Sequence, residues 1–94
     1  MIKLADLPGL GPKSEQMLIE SGVDSVEVLR EIGSVRAFLR VKHNQGRVSL
    51  NLLYALEGAL QGKHWLDIAS EKKAELLMTL EEHEEVEKRL SDAY

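Results

Sequence analysis

The sequence is short of several residue types, and each shortage narrows the possible structures. Its 94 residues include no cysteine, two prolines and four aromatic residues. Without cysteine the chain has no disulfide framework, thiolate metal site or cysteine nucleophile, and this composition is compatible with a reducing cytoplasm. With so few aromatic residues the core must consist of Leu, Ile, Val, Met and Ala, which favours helices over sheets.

Long apolar runs are also missing. No run approaches the roughly 18 residues of a transmembrane helix, and the start of the chain lacks the charged and apolar segments of a signal peptide. We therefore expect no membrane association and a cytoplasmic location. With 94 residues, 44% of them hydrophobic, the chain is expected to form one small domain with a modest core.

The net charge of −4 is unevenly distributed. The first 65 residues carry eight Lys or Arg and seven Asp or Glu, whereas residues 66–94 carry four and nine. The first part is therefore close to neutral, and the acidity belongs to the C-terminal part. This distribution argues against strong non-specific binding of nucleic acid and leaves room for a local contact.

The most informative segment is LPGLGPKS at residues 7–14. It contains both prolines and two of the seven glycines. Two glycines one residue apart make a sharp turn that a ligand can approach closely, because no Cβ stands in the way. Pro12 suits the first position of a helix, which places Lys13 and Ser14 in its first turn. The segment predicts a glycine hairpin that leads into a helix N-terminus, where anions bind readily.

Helix-capping residues predict about five short helices and no strand. The predicted helices cover residues 13–21, 24 or 25 to 33, 35–43, 50–61 and 71 to about 90. The expected N-caps of the last four are Asp24 or Ser25, Ser34, Ser49 and Ser70. Gly22 and Val23 are expected to end the first helix in a Schellman motif.

The helix Leu50–Gln61 is apolar nearly all round, with only a thin stripe through Asn51 and Gly58 to face water. Such a helix belongs at the centre of a domain. The first half of the last helix, with Ala74, Leu77 and Leu80, is expected to join it. The sequence thus predicts an all-α fold of about five short helices packed around a buried central helix.

Four segments together resemble a known family. The LPGLGPKS segment looks like a helix-hairpin-helix turn. With SEQML at 14–18, SLNLLYALEGAL at 49–60 and GKHW at 62–65, it resembles the C-terminal domain of the TfoX (Sxy) competence regulators over about residues 3–80. We therefore divide the chain into a helical domain, 1–80, and an acidic extension of the last helix, 81–94.

This resemblance implies a bacterial, cytoplasmic, non-enzymatic regulatory protein associated with DNA-uptake competence genes. Family members usually carry a separate α+β domain ahead of this one. The chain is therefore expected to be a stand-alone version of the domain or a fragment. The resemblance also implies a domain similar to other hairpin-bearing helical folds.

In DNA-binding hairpins, backbone N–H groups of the turn and the following helix hold a phosphate without reading sequence. The candidate donors here are the N–H groups of Leu10, Gly11, Lys13 and Ser14. Lys13 is informative because a cation in the first turn opposes the helix dipole, and a bound anion reverses that effect. Asp6 and Glu15 argue against the site, because their carboxylates repel phosphate unless they turn away. The alternative is a purely structural hairpin that packs two helices closely.

A second basic surface is expected on the third predicted helix. Arg36, Arg40 and His43 share one face, with Lys42 and Arg47 nearby. This face either extends a nucleic-acid or acidic-partner surface or is simply solvated. No aromatic residues interleave with these charges, so base stacking is unsupported. The candidate nucleic-acid contacts are Gly9, Leu10, Gly11, Lys13, Ser14, Arg36, Arg40 and Arg47.

No pattern predicts catalysis, a cofactor or a metal site. His43, His64 and His83 lack metal-type spacing, and His64 with Trp65 is interpreted as a packing corner. The acidic run at 81–85 is interpreted as a solvated helix, with a homodimer contact through Leu80, Val86 and Leu90 as the alternative.

Two functions remain open. The first is a non-enzymatic regulatory module that contacts DNA phosphates weakly and in a salt-dependent way. The second is a protein-interaction domain of a transcription regulator in which the hairpin is structural.

Overall fold

The computed structural model describes residues 2–92, which form five α-helices preceded by a single 3-10 turn and include no strand. The 3-10 helix is Leu4–Asp6, and the α-helices are α1 (Pro12–Glu20), α2 (Val26–Gln45), α3 (Leu50–Gln61), α4 (Trp65–Glu71) and α5 (Lys73–Asp92). The all-α prediction is confirmed. Residues 1, 93 and 94, at the ends of the predicted regions 1–80 and 81–94, lie outside the described residues.

Helix α1 ends as its sequence predicts. The Val23 N–H donates to the Leu18 carbonyl at 2.8 Å, and the Gly22 N–H donates to the Ile19 carbonyl at 3.1 Å. These two bonds are those of a Schellman motif. Leu18 and Val23 are both fully buried, so the hydrophobic contact that accompanies the motif joins the end of α1 to the core.

The second and third predicted helices run together as α2, and the predicted break between them is confirmed as a kink at Gly33, whose φ of 83° and ψ of 171° are not helical. Ser25 caps it, accepting a hydrogen bond from the Val28 N–H at 3.1 Å. Ser34, expected as an N-cap, is buried and donates its hydroxyl to the Glu57 carboxylate at 2.7 Å. The cap prediction for Ser34 is corrected because this side chain joins the kink to α3 instead.

Helix α3 lies at the centre, between α2 and α4, and its burial confirms the predicted central helix. Asn51 is exposed as expected, whereas Gly58 is buried, so the predicted solvent stripe is wrong at Gly58. The chain that leaves α3 crosses directly over Gly58. A Cβ built there would lie 2.5 Å from the Lys63 carbonyl oxygen, so this close approach requires glycine.

The C-terminal helices begin differently from the prediction. Ser70 lies inside α4, and α5 begins only at Lys73, so Ser70 does not cap the last helix. Leu76 and Leu80, four residues apart and thus on one helix face, are the buried residues of α5. Ala74 is exposed because it lies about 200° around the helix from Leu76.

Replacing Gly58 with alanine tests the close approach. We expect Gly58→Ala to lower the free energy of unfolding by about 1–3 kcal/mol, because a clash with a backbone carbonyl outweighs the gain in helix propensity. Urea denaturation followed by circular dichroism measures this loss. Gly11→Ala is the control, because a Cβ there meets nothing within 4 Å. Equal losses in the two variants would contradict the packing argument.

Candidate nucleic-acid interface

The turn at residues 7–10 has the geometry of a type II β-turn. The Leu10 N–H donates to the Leu7 carbonyl at 3.2 Å, and Gly9 has the φ of 82° that the third position of this turn requires. The Leu4 and Leu10 side chains are buried on either side of the turn. The turn is therefore anchored to the core. The predicted first arm of a helix-hairpin-helix is only a three-residue 3-10 helix, so that motif stays a prediction.

The start of α1 carries N–H groups that the fold leaves available. Gly11 is the N-cap, Pro12 is the first helical residue, and the Glu15 N–H donates to the Gly11 carbonyl at 3.0 Å. Among residues 2–92, no acceptor bonds the N–H of Gly11, Lys13 or Ser14. Three of the four predicted donors thus remain free, whereas the Leu10 N–H is used within the turn.

The two carboxylates that argued against an anion site are engaged elsewhere. Glu15 Oε2 accepts a hydrogen bond from the Ala5 N–H, and Asp6 Oδ2 accepts one from the Lys3 N–H, both at 2.9 Å. Both donor N–H groups belong to the 3-10 helix or to its N-cap, Lys3. The expected repulsion of a phosphate by Glu15 is therefore weakened, because the carboxylate is held against the backbone that precedes the turn.

A groove of about 460 Å³ runs beside the turn, and we refer to it as the hairpin groove. Its polar lining comes from the turn, from α1 and from the segment that leads into α3. These polar or glycine residues are Gly9, Lys13, Ser14, Arg47, Ser49 and Asn51. Lys13 and Arg47 are its two charged residues, and no carboxylate lines it among the described residues. The positive ends of the α1 and α3 dipoles both lie at this groove.

The apolar lining of the hairpin groove includes Trp65, which sequence reasoning did not connect with the hairpin. The other apolar residues are Met17, Val48, Leu52 and Ala55. Trp65 packs on the core, as predicted, and its ring stacks on His64 with ring centroids 5.9 Å apart. An aromatic residue therefore lies beside Lys13 and Arg47 in space, although none interleaves with them in sequence.

Arg36 and Arg40 lie elsewhere, in a second groove of about 430 Å³ between α2 and α5. We refer to it as the α2–α5 groove, and its other lining residues are Leu39, His43, His83, Val86 and Glu87. An ion pair beside the groove joins α2 to α5, with Lys42 Nζ 3.1 Å from Glu84 Oε2, and His43 Nε2 contacts Glu87 Oε2 at 3.0 Å. The predicted basic surface is therefore divided, with Arg47 beside the hairpin and the other two arginines facing α5.

The stripe predicted for a dimer is also divided. Leu80 is buried in the core, whereas Val86 and Leu90 are 53% and 56% exposed. Along α5, Glu85 pairs with Arg89 within the helix, whereas Glu84 reaches Lys42 of α2. A dimer contact that includes Leu80 would require this side chain to leave the core.

The sequence of residues 1–80 matches the family model of the TfoX C-terminal domain. The chain belongs to this family. The prediction of a TfoX-type domain from the hairpin, the central helix and the GKHW segment is thereby confirmed. All lining residues of the hairpin groove lie within the matched part, whereas one wall of the α2–α5 groove lies beyond it.

Relatives of this TfoX C-terminal domain include proteins named for DNA transformation. The chain is 36% identical over 80 residues to the DNA transformation protein TfoX of Haemophilus influenzae, covering 85% of this chain and 37% of that protein. It is 37% identical over 76 residues to TfoX1 of Aliivibrio fischeri, covering 80% and 36%. The chain spans little more than a third of the length of these curated relatives.

Two solved structures from Listeria monocytogenes share the fold of this TfoX C-terminal domain. An uncharacterized protein superposes with a TM-score of 0.77 and 40% identity, covering 88% of this chain and 94% of that one. A protein of unknown function superposes with a TM-score of 0.73 and 43% identity, covering 80% and 93%. In both structures the matched fold makes up nearly the whole chain.

Across residues 2–92, no group of three or more His, Asp or Glu side chains is arranged to hold a metal ion. Although His43 and His83 line one groove, they do not form such a group. None of the helices in this part of the chain combines the length and apolar character that crossing a membrane requires.

Substitution of Glu15 tests its role at the 3-10 helix. We expect Glu15→Ala to lower the free energy of unfolding by about 1 kcal/mol, because the Ala5 N–H loses its acceptor. Glu15→Gln keeps an acceptor oxygen and removes the charge, so its loss should be smaller. Urea denaturation of both variants measures the difference. A larger loss for Gln than for Ala would contradict this role.

Proposed function

We propose that this domain is a non-enzymatic, cytoplasmic regulatory module that contacts nucleic-acid phosphates weakly through the hairpin groove. One observation carries the proposal. Lys13 and Ser14, whose backbone N–H groups are free, line one groove together with Arg47, and no described carboxylate lines that groove. The names of the relatives, which are DNA transformation proteins, support a role connected with DNA.

The chemistry of the groove suits a phosphate group. Helix N-termini bind phosphate through backbone N–H groups and the positive end of the dipole. Lys13 in the first turn of α1 opposes this dipole at a cost of roughly 0.3–1 kcal/mol. A phosphate at the helix start reverses the sign of that interaction, so the lysine that weakens the free helix strengthens the complex.

Binding is expected to be weak and independent of sequence. Two cations contact about two phosphates, and the whole chain carries a net charge of −4 that opposes non-specific attraction. For a duplex, the slope of log affinity against log salt is about −0.9 per neutralised phosphate, or roughly −2 for two. Phosphate contacts fix position on nucleic acid and carry no base sequence information.

A labelled DNA duplex titrated at two salt concentrations tests this function. Lys13→Gln and Arg47→Gln should each weaken binding and reduce the salt slope by about 1, because each removes one phosphate contact. Fluorescence anisotropy measures both quantities. Arg30→Gln is the matched control, because Arg30 is exposed, lies outside both grooves and loses the same charge. Binding without salt dependence, or equal effects of all three variants, would refute the proposal.

A second candidate function is protein interaction through the α2–α5 groove. The specific observation is an apolar floor of Leu39 and exposed Val86 beside Arg36 and Arg40. In residues 2–92 neither arginine forms an ion pair with a carboxylate. This combination suits an acidic, partly apolar segment of a transcription-regulatory protein. The acidic α5 of a second copy, with Val86 and Leu90, has the same character and gives the homodimer as another occupant.

Variants of the α2–α5 groove distinguish a regulatory protein partner from a second copy of the chain. Sedimentation velocity over a concentration series should show self-association if a second copy is bound, and Arg36→Glu with Val86→Asp should abolish it. A captured protein partner should be lost in the same double variant, retained in Lys13→Glu and unaffected by nuclease. Capture that nuclease abolishes, or that the double variant leaves intact, would count against this candidate.

A further inference from the structure

The hairpin groove is lined by two cationic side chains, Lys13 and Arg47, and by the aromatic ring of Trp65. This combination points to a more specific ligand. We propose that the groove takes one nucleotide unit of a single-stranded nucleic acid, with its phosphate at Lys13 and Arg47 and its base against Trp65. This inference rests on the proposed function and adds that the bound nucleic acid is single-stranded.

The lining residues match the two halves of a nucleotide. Lys13, Ser14 and Arg47 suit the phosphate, and Trp65 with its aliphatic neighbours suits the base. A duplex keeps its bases stacked inside and offers only phosphates to such a groove, so the apolar lining would stay empty. A single strand presents unstacked bases beside their phosphates, and aromatic side chains bind these bases with little sequence preference.

Trp65 is held in place before any ligand arrives. It is half-buried against the core, stacks on His64 and begins α4. Its backbone nitrogen lies 3.5 Å from the position of a Cβ built on Gly58, so the backbone at Trp65 passes close to α3. A ring fixed in this way loses little freedom on binding, which favours its use as a stacking surface.

The volume of the groove is consistent with one unit of ligand. At about 460 Å³ it lies in the lower half of the range for small-ligand sites, roughly 300–1,000 Å³. A free nucleotide shares the chemistry of one unit within a strand. A strand adds neighbouring phosphates, which Lys13 and Arg47 also attract, so the strand should bind more tightly than the free nucleotide.

The chain contains a single tryptophan, so emission excited selectively from tryptophan reports on Trp65 alone. A 20-nucleotide single strand of mixed sequence, the matching duplex and thymidine monophosphate are titrated separately into the full chain. The single strand should quench the emission and bind about fivefold or more tightly than the duplex, which is the lower end of the effect of one stacked base. The free nucleotide should bind more weakly than the strand.

Variants separate stacking from phosphate contact, with labelled strands followed by anisotropy. Trp65→Leu should weaken single-strand binding about fivefold or more and change duplex binding little. Lys13→Gln and Arg47→Gln should weaken both, and Arg30→Gln should change neither. Trp65→Phe retains a ring and should keep the preference for the single strand. If circular dichroism shows that Trp65→Leu is unfolded, two other results test the inference. These are the quenching of wild-type emission by the single strand and the single-strand preference of Trp65→Phe.

The remaining outcomes distinguish failure of this inference from failure of the proposed function. Duplex binding that depends on Lys13 and equals single-strand binding, without quenching, would overturn this inference and leave the proposed function standing. Thymidine monophosphate binding as tightly as the strand would assign the groove to a free nucleotide and also overturn it. No salt-dependent binding of either strand form would overturn both proposals.

Discussion

The burial of α3 is the constraint on which the rest of the structure depends. This helix is apolar on nearly every side, so the other helices must cover it. It also positions every wall of the hairpin groove. The segment before α3 carries Arg47 and Ser49, and Ala55 of α3 lies under the turn at Gly9. The close approach at Gly58 brings Trp65 into the lining of the groove. A change in the packing of α3 therefore alters the candidate site as well as the core.

Although the chain is acidic overall, the placement of its charges leaves the hairpin groove locally positive. Asp6 and Glu15 are occupied by backbone N–H groups at the 3-10 helix, and Glu84 and Glu87 face Lys42 and His43 across α2 and α5. Such exposed pairs contribute little stability, roughly 0–1 kcal/mol each. They do show where these carboxylates lie: Glu84 and Glu87 face α2, and no described carboxylate lines the groove that holds Lys13 and Arg47.

The sequence predicts local features well and distant neighbours poorly. The Schellman ending at Gly22 and Val23 and the bounds of α3 follow from capping residues and apolar pattern, which act within a few positions of the chain. Gly58 shows the limit, because its burial is caused by a segment that crosses the helix and not by the helix itself. Trp65 and Arg47 meet Lys13 only through the packing around α3. Arg36 lies within α2 and lines the groove beside α5, whereas Arg47 follows the C-cap Gly46 and lines the hairpin groove. No periodicity in the sequence reports these contacts.

The two grooves differ in how they relate to the family. The hairpin groove is built entirely from residues 1–80, the part that matches the TfoX C-terminal domain. The α2–α5 groove takes one wall from α2 within that part and the other from His83, Val86 and Glu87 beyond it. A property common to the family is therefore expected at the hairpin groove, where all contributing elements belong to the shared domain. A property particular to this chain is expected at the α2–α5 groove, because its acidic wall depends on how far α5 continues and which charges it carries.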